Sequence, residues 1–347
     1  MKVQHDVWLA DFTSLRVGGT TATLIELEAG DSLPEAISSA QGAVRVLGFG
    51  TNVLISDKGW PGTVILNRSG QIKIEDEKIV ADSGADWDEL VRKAMDSQLW
   101  GLEFTSGIPG GVGAAVAGSI AAYGHRVSDR LVSAEVLDIR DGSIETWETS
   151  RFNFGYRRSD MQLPENSNFV ILSATFDLSP QPNSELEYES ALKAASDLGI
   201  QPDSLENRRK IILEARRRAG SLLTDQSQGP WTAGSFFKNP LVNETQVDAI
   251  LSHDESGISR DQLLRQNIIH GGDQARVSAA HVLLAAGFQR GQAWGKVRLH
   301  PDHILKIENV GGASAQDIYN VVQTIITTVR QRLYVNLEPE VRFLGEF

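Results

Sequence analysis

Gly107-Ile108-Pro109-Gly110-Gly111-Val112-Gly113 is the stretch that most restricts the fold, and it runs into the small residues of 114–122. Closely spaced glycines let backbone N–H groups surround an anion without interference from Cβ atoms. A second glycine loop, Leu47-Gly48-Phe49-Gly50-Thr51-Asn52, follows a predicted strand at Val44–Leu47. One such loop alone is best explained as a tight turn, but two weaken that explanation. Both are therefore candidate nucleotide-binding loops.

Neither loop matches the two common nucleotide-binding fingerprints. Val53 and Val116 stand where the dinucleotide-binding motif has its third glycine, and neither loop ends in the Gly-Lys-Ser/Thr of a P-loop. Rossmann and P-loop folds are therefore disfavoured.

Composition limits the class of protein. At roughly 150 residues per domain, 347 residues predict two or three domains, and 41% hydrophobic with 22% charged residues is typical of a folded chain. The net charge of −12 disfavours nucleic acid as a partner. The absence of cysteine excludes disulfides, thiolate metal sites and a cysteine nucleophile. No stretch approaches the ~18 apolar residues of a membrane span, so we expect a soluble cytoplasmic protein, by default a monomer.

The hydrophobic pattern predicts sheets with one helix in the first half and mainly helices after residue 180. Asp86 is the predicted N-cap of the first long helix, Asp141-Gly142 a two-residue hairpin turn, and Pro180, Pro182 and Asn183 a linker. Predicted strands are Val44–Leu47, Val53–Ile55, Val64–Leu66, Ala134–Arg140, Ser143–Trp147 and Phe169–Leu178. Predicted helices beyond the linker are Leu205–Arg218, Gln246–Ser252, Val277–Ala286 and Ala315–Leu333.

Polar and charged side chains that could take part in catalysis lie in three segments far apart in the sequence: Phe154–Ser159, Ala233–Pro240 and Leu337–Phe343. In the second, Ser235 stands between a glycine and two phenylalanines, where neither capping nor a turn calls for a serine. We therefore interpret Ser235 as a hydroxyl group that is held in position for a chemical role. It is not a hydrolase nucleophile elbow, because Phe237 occupies the position of the required glycine. His300 and His303, with Pro301 between them, are too few ligands for a metal site, so we expect no metal.

These segments, in this order and spacing, closely resemble the UDP-N-acetylenolpyruvoylglucosamine reductase family from about Phe12 to Gly345. The resemblance implies an α+β fold: an FAD-binding domain of the vanillyl-alcohol-oxidase (PCMH) type with subdomains at 1–66 and 67–180, then a C-terminal α+β substrate-binding domain at 181–347. It also implies NADPH-dependent, FAD-mediated reduction of UDP-N-acetylglucosamine enolpyruvate to UDP-N-acetylmuramate. That reaction belongs to peptidoglycan synthesis, and so to cell wall biogenesis, cell shape and cell division.

The resemblance assigns roles to individual residues. Ser235 is the expected proton donor, while Arg157 and Glu340 are expected to stabilise and polarise the enol form. Expected FAD contacts are Gly48, Gly50, Thr51, Asn52, Gly107, Ile108, Pro109, Gly110, Gly113, Ser119, Tyr123 and Gly124. Expected substrate contacts are Tyr188, Arg218, Lys238 and Asn239.

Two positions depart from the family pattern. Ser119 stands where the family usually has asparagine, and Ala219 stands where it has a phosphate-contacting lysine. Arg218 could replace that lysine's charge, although a solvated helix face explains the Arg216-Arg217-Arg218 run equally well. Two other functions therefore stay open: a flavin oxidase or dehydrogenase of the same fold, for which Ser235 would be dispensable, and a non-catalytic nucleotide-sugar binder.

Overall fold

The chain forms two compact units, each assembled from separated stretches of sequence. The computed structural model describes residues 1–68, 70–182, 184–222, 229–265 and 275–347. The first unit comprises Met1–Val7, Thr21–Gly50 and Pro61–Thr224. The second comprises Trp8–Thr20, Thr51–Trp60 and Asp225–Phe347.

Helices and strands alternate irregularly along the chain, as in an α+β fold. The strands are β1 Lys2–Trp8, β2 Thr20–Glu26, β3 Val44–Leu47, β4 Val53–Ile55, β5 Trp60–Leu66, β6 Ile72–Glu75, β7 Lys78–Asp82, β8 Ala121–Ala122, β9 His125–Arg126, β10 Leu131–Asp138, β11 Ile144–Glu148, β12 Phe169–Asp177, β13 Trp231–Ser235, β14 Leu241–Val242, β15 Ala275–Arg276, β16 Ala293–Trp294, β17 Val297–Leu299, β18 Lys306–Asn309 and β19 Arg342–Leu344. The described helices are α1 Leu33–Ser39, α2 Trp87–Asp96, α3 Val112–Ala117, α4 Glu189–Leu198, α5 Leu205–Arg218, α6 Glu244–His253, α7 Arg260–Leu264, α8 Ala279–Ala285 and α9 Ala315–Leu333.

The first unit is built on two sheets. The smaller has the order β1-β2-β5-β3, with β3 parallel to β5, and the larger has the order β11-β10-β12-β7-β6 with antiparallel neighbours. α2 belongs to the hydrophobic core of the larger sheet, where Trp87 meets Phe176 of β12 edge to face at 5.8 Å between ring centroids. α2 begins as predicted, because the Asp86 side chain accepts a hydrogen bond from the Glu89 N–H at 2.8 Å.

The first unit continues past the boundary that the sequence suggests at residue 180. α4 packs against α5, and Arg208 of α5 makes a buried ion pair with Glu103 at 2.9 Å. The Arg208 guanidinium also lies 4.8 Å from the ring centroid of Trp100. A buried charge is stable only when paired, so this contact ties α5 to the short 3-10 helix Glu103–Thr105 that follows α2. Of the predicted linker, Asn183 lies outside the described residues.

The second unit has an antiparallel sheet of order β13-β18-β17-β16, and α9 belongs to the same hydrophobic core. β4 and β19 pair in parallel, which places a stretch from the beginning of the chain in this unit. α9 begins at the predicted residue with a reciprocal capping box between Ser314 and Asp317. Asp57 caps it further, accepting from the backbone N–H groups of Ala315 at 2.8 Å and Gln316 at 2.9 Å.

The expected two-residue turn at Asp141-Gly142 is wrong. β10 ends at Asp138 and β11 begins at Ile144, so residues 139–143 form a longer loop. Only Gly142 has a positive φ there, of 75°, whereas a type I′ turn needs two such residues. The Asp141 side chain instead accepts from the Ser143 N–H at 2.9 Å, a local turn that competes with the tight hairpin.

In the part of the chain that the structure describes, no helix has the length and apolar character needed to cross a membrane.

Replacing Asp57 by alanine should destabilise the protein by about 1 kcal/mol, because two backbone donors at the start of α9 lose their acceptor. Urea unfolding followed by circular dichroism measures the change in the free energy of unfolding. Lys58→Ala, which removes only an exposed ion pair with Glu346, is the control and should cost less than about 0.5 kcal/mol. Equal effects of the two variants would contradict the capping role.

Candidate active site

The second unit places Ser235 and Glu340 on adjacent chain segments. The Glu340 N–H donates to the Phe236 carbonyl at 2.8 Å, and the Lys238 N–H donates to the Glu338 carbonyl at 2.9 Å. Both bonds are between backbone groups, so the two segments stay side by side whatever their side chains do. Two of the three polar segments found in the sequence therefore meet.

The phenylalanines after Ser235 explain how its hydroxyl is aimed. Phe236 and Phe237 are buried in the core of the second unit, which fixes the backbone that follows the serine. Gly234 has φ 81°, and the pairing of β13 with β18 is irregular between Thr232 and Ser235. A bulge of this kind redirects a side chain. Ser235 is thereby left half-buried at the end of its strand.

His303 faces the Ser235 hydroxyl, with Nε2 3.5 Å from Oγ. Burial lowers the pKa of His303 to about 4, and the positive charge of Lys306 acts in the same direction. The imidazole is therefore neutral at physiological pH. Sequence reasoning considered His303 only as a metal ligand, and within the described ranges no group of three or more potential ligands is present.

The other predicted residues of the second unit lie close to the same strands. The Asn52 amide donates to the Glu340 carbonyl at 3.3 Å, and the Arg342 N–H donates to the Asn52 carbonyl at 3.1 Å. Lys238 Nζ lies 3.8 Å from the Glu338 carboxylate. Asn239 accepts from the Ala279 N–H at 2.9 Å, which stabilises the start of α8. Thr51 lies in this unit as well.

The glycine loops of the first unit border a cavity of about 240 Å³. Gly48, Gly111 and Gly113 line it, together with Asn67 and Ser83, whose side chains hydrogen-bond at 2.9 Å. A Cβ atom on Gly113 would lie 2.7 Å from the Ser83 Cβ, so a larger residue there would displace the wall. The loop geometry thus requires glycine for close packing beside an open space.

Positive φ angles recur in both glycine loops. They are 65° at Gly50, 73° at Gly107 and 124° at Gly110, and Ile108 and Pro109 lie between the latter two. Glycine adopts such angles without strain because it has no Cβ atom. Other residues seldom adopt them, apart from asparagine and aspartate, whose short polar side chains can hydrogen-bond to the nearby backbone.

Tyr123 and Gly124 form the tip of a small hairpin between β8 and β9. Their φ angles are 51° and 85°, the two positive values of a type I′ turn. A tyrosine rarely adopts such an angle, and the strain costs of the order of 1 kcal/mol. The turn holds an aromatic side chain at a defined place at the expense of stability.

Ser119 supports the turn that carries Arg157. Its hydroxyl donates to the Gly155 carbonyl at 3.2 Å, and Gly155 and Arg158 exchange backbone hydrogen bonds that close a tight turn around Tyr156 and Arg157. Ser119 is 3% exposed and has φ 50°, a conformation that asparagine adopts more readily. The backbone thus accounts for asparagine as the usual family residue, and serine keeps a hydrogen-bonding group there.

Four side chains of the first unit form what we call the Tyr-Arg cluster: Tyr123, Tyr188, Arg157 and Arg216. The two tyrosine rings meet edge to face at 5.3 Å. Burial raises the pKa of Tyr123 to about 12, and the charge of Arg216 opposes this rise. Burial also raises the pKa of Tyr188, opposed by the charge of Arg157. The cluster therefore combines two neutral hydroxyl groups with two cations.

Arg216 differs from the two arginines that follow it on α5. Its Nε atom is buried with no hydrogen-bond partner, while Nη2 donates to the Ser221 carbonyl at 2.8 Å. Burial lowers the pKa of its guanidinium. Arg217 and Arg218 instead pair with Glu214, each at 2.7 Å, and Arg218 also with Asp197. The sequence alone does not show which of the three consecutive arginines faces inward; in the structure it is Arg216.

Comparison with known proteins agrees with both halves of this description. Residues 225–344 match the family model described as "UDP-N-acetylenolpyruvoylglucosamine reductase, C-terminal domain", and residues 31–148 match an FAD binding domain. A UDP-N-acetylenolpyruvoylglucosamine reductase of Saccharopolyspora erythraea is 32% identical over 96% of this chain and 93% of its own length. This chain belongs to the UDP-N-acetylenolpyruvoylglucosamine reductase family.

Two further relatives extend the agreement. The enzyme of the same name from Nocardia farcinica is 31% identical over 97% of this chain and 88% of its own length. A crystal structure of UDP-N-acetylenolpyruvylglucosamine reductase (MurB) from Thermus caldophilus aligns with a TM-score of 0.67 at 25% identity, covering 99% of this chain and all of that one. The α+β class with an FAD-binding domain and a reductase C-terminal domain is confirmed.

The residues present fit the FAD that this family of folds implies. A diphosphate needs backbone donors without Cβ interference. The first unit offers glycine loops in which Gly48, Gly111 and Gly113 line a cavity, and a Cβ atom on Gly107 would lie 2.7 Å from Leu213 Cδ2.

Lowering the pH from 6.5 to about 4 should destabilise the protein partly through His303. Because the folded-state pKa lies below the ordinary value, the unfolded chain binds a proton in this range that the folded chain does not. The free energy of unfolding of His303→Gln, measured by urea titration at several pH values, should therefore fall less steeply over this interval. His253→Gln, an exposed histidine at the end of α6, is the control. Parallel curves for wild type and His303→Gln would refute the burial of a neutral imidazole.

Proposed function

We propose that this protein catalyses the NADPH-dependent, FAD-mediated reduction of UDP-N-acetylglucosamine enolpyruvate to UDP-N-acetylmuramate, a cytoplasmic step of peptidoglycan precursor synthesis. The observation that carries the proposal is the adjacency of the Ser235 and Glu340 segments in a member of this reductase family. An oxidase of the same fold has no need of a serine segment held beside the Glu340 segment in this way.

The reaction sets clear demands on the protein. The chemistry that bound FAD supplies is hydride transfer, from NADPH to the terminal carbon of the enolpyruvyl group. Negative charge then develops at the adjacent carbon and spreads into the substrate carboxylate. In the proposal Arg157 stabilises this charge, and Glu340 polarises the enol form.

Ser235 completes the reduction by general acid catalysis. Its Oγ–H bond breaks as a C–H bond forms at the carbon next to the substrate carboxylate. A serine hydroxyl is a weak acid, but a carbanion-like centre is a strong base, so accurate placement decides the rate. The buried Phe236 and the backbone bond to Glu340 supply that placement.

Substrate contacts are assigned to individual residues. Tyr188, Lys238 and Asn239 keep their proposed roles as substrate contacts. Arg218 is a weaker candidate than Arg216 for replacing the family's lysine, because its charge is already compensated by Glu214 and Asp197. Arg216 lies in the Tyr-Arg cluster with an unused donor, and we propose it as the cation for a substrate phosphate.

Ser235→Ala should lower the substrate-dependent rate of NADPH oxidation by about 10²–10⁴-fold while the bound flavin keeps its absorption spectrum. The assay compares purified FAD-loaded protein with and without UDP-N-acetylglucosamine enolpyruvate. Ser252→Ala, a serine on the exposed part of α6, is the matched control and should keep wild-type turnover. Unimpaired turnover of Ser235→Ala would remove the proton-donor role, and NADPH oxidation that ignores the substrate would remove the proposed reaction.

Arg216→Ala should raise the KM for the UDP-sugar by roughly tenfold, the effect of losing one charge-assisted hydrogen bond. Arg218→Ala is the comparison, because its guanidinium already has two carboxylate partners. Steady-state kinetics at saturating NADPH gives both values. A larger effect at Arg218 than at Arg216 would restore the assignment made from the sequence.

A further inference from the structure

Asp88, on the first turn of α2, bonds to two other elements of the first unit. Its Oδ1 atom accepts from the Gly107 backbone N–H at 2.6 Å and from Arg209 Nη1 at 2.7 Å. Its Oδ2 atom accepts from Arg209 Nη2 at 2.6 Å. One carboxylate thus joins the first residue of the glycine loop 107–113 to helix α5. We call Asp88 and Arg209 the loop clamp.

The geometry of the loop clamp is that of a strong interaction. Both nitrogens at the end of the Arg209 side chain engage both carboxylate oxygens, the two-point arrangement that adds directional precision to charge. The side chains are only 24% and 18% exposed. Burial by itself would raise the pKa of Asp88, but the hydrogen bonds from Arg209 and Gly107 outweigh it and the pKa is lowered. The carboxylate is therefore ionised at neutral pH.

Other charges around Asp88 are weaker partners. Arg92, one turn along α2, approaches it only to 3.8 Å and is 58% exposed. Asp86 and Glu89 on the same helix are bonded to each other as the N-cap. The link from α2 to α5 through this carboxylate thus depends on Arg209.

Helix α5 also touches the glycine loop directly. Gly107 has φ 73°, and a Cβ atom on it would lie 2.7 Å from Leu213 Cδ2. Leu213 is one turn after Arg209, and Arg216 is the next residue along the same face. The loop backbone is therefore held on one side by the Asp88 carboxylate and on the other by the side chains of α5. A displacement of α5 would change the position of the Gly107 N–H.

We infer that Asp88 and Arg209 are positioning residues for the FAD diphosphate: they fix the backbone of the 107–113 loop and couple its order to helix α5. The inference rests on the proposed assignment of this loop to FAD. Neither residue is suggested by any sequence motif, because a single aspartate and a single arginine on separate helices resemble ordinary surface charges. What distinguishes them is that the Asp88 carboxylate, which accepts from Arg209, also accepts from the Gly107 N–H.

The test measures how tightly the full-length holoprotein holds FAD. Diluting the protein and following the recovery of free flavin fluorescence gives a dissociation constant without any turnover. Asp88→Asn and Arg209→Gln should each raise it about tenfold, the effect of losing a charge-assisted hydrogen bond. The double variant should have a dissociation constant no higher than that of the single variant that binds FAD less tightly, because both changes disable the same clamp. Arg209→Lys, which keeps the charge without the fork, should bind with intermediate strength.

Two controls separate positioning from simple loss of stability. Arg217→Gln removes an arginine of the same helix that pairs on the exposed face with Glu214, and it should leave FAD affinity unchanged. Gly110→Ala strains the same loop at φ 124° while the side chains of Asp88 and Arg209 stay in place, and it should weaken FAD binding.

The outcomes are distinct. Unchanged FAD affinity in Asp88→Asn and Arg209→Gln, or effects that multiply in the double variant, would overturn the inference. If Gly110→Ala also left FAD affinity unchanged, the assignment of the loop would fail with it. If Gly110→Ala alone weakened binding, the loop assignment would stand and only the clamp would be rejected. The proposed reduction of the enolpyruvyl substrate is independent of both results.

Discussion

The segment 338–344 is the constraint on which the second unit depends. On one side it bonds through its backbone to Phe236 and Lys238, and on the other it bonds to Asn52 and pairs with β4. Asn52 and Glu340 are 288 residues apart in sequence, so closing this contact costs chain entropy that only a fully formed core can offset. In return, the position of Glu340 relative to Ser235 is set by peptide groups instead of flexible side chains.

The first unit positions its functional side chains by a different means. Tyr123, Ser119 and Arg157 all have positive φ angles of about 50°, each in a tight turn or at the end of a helix. Each such angle is unfavourable for a residue with a Cβ, and neighbouring hydrogen bonds must hold it. The Ser119 hydroxyl on Gly155 is one of these. Three of the nine such angles at non-glycine residues in the described parts of the chain therefore lie at residues proposed for the site.

Elements with local signals were predictable from the sequence. α5 and α9 begin and end at the predicted residues, because each start is determined by a serine N-cap and the residue three places on. The prediction of a two-residue hairpin turn at Asp141-Gly142 was wrong, because a competing turn formed by the Asp141 side chain outweighed the preference of this dipeptide for positive φ angles. The limits of the two units also escaped the sequence. β4 belongs to the second unit because it pairs with a strand near the opposite end of the chain and Leu54 packs into that unit's core.

The sequence predicts those residues of the candidate site that lie in recognisable motifs. Ser235 and Glu340 stand in recognisable segments, and the structure brings these segments together. Arg216, Asp88 and His303 have no such context. Their proposed roles rest on what they face: a half-buried tyrosine, a glycine N–H and the Ser235 hydroxyl. A helix that carries several arginines does not reveal from its sequence which one turns inward, because that choice is made by packing partners far away in the chain.

The central claim is that this protein delivers a proton to carbon from Ser235 during reduction of an enolpyruvyl ether. The most direct measurement is to run the reaction with NADPH in D₂O and to locate deuterium in the product by NMR. The account predicts one deuterium at the carbon that bears the carboxylate, in a single configuration, and formation of this product about 10²–10⁴-fold more slowly by Ser235→Ala. Product that lacks deuterium at that carbon, or its formation by Ser235→Ala at the wild-type rate, would contradict it.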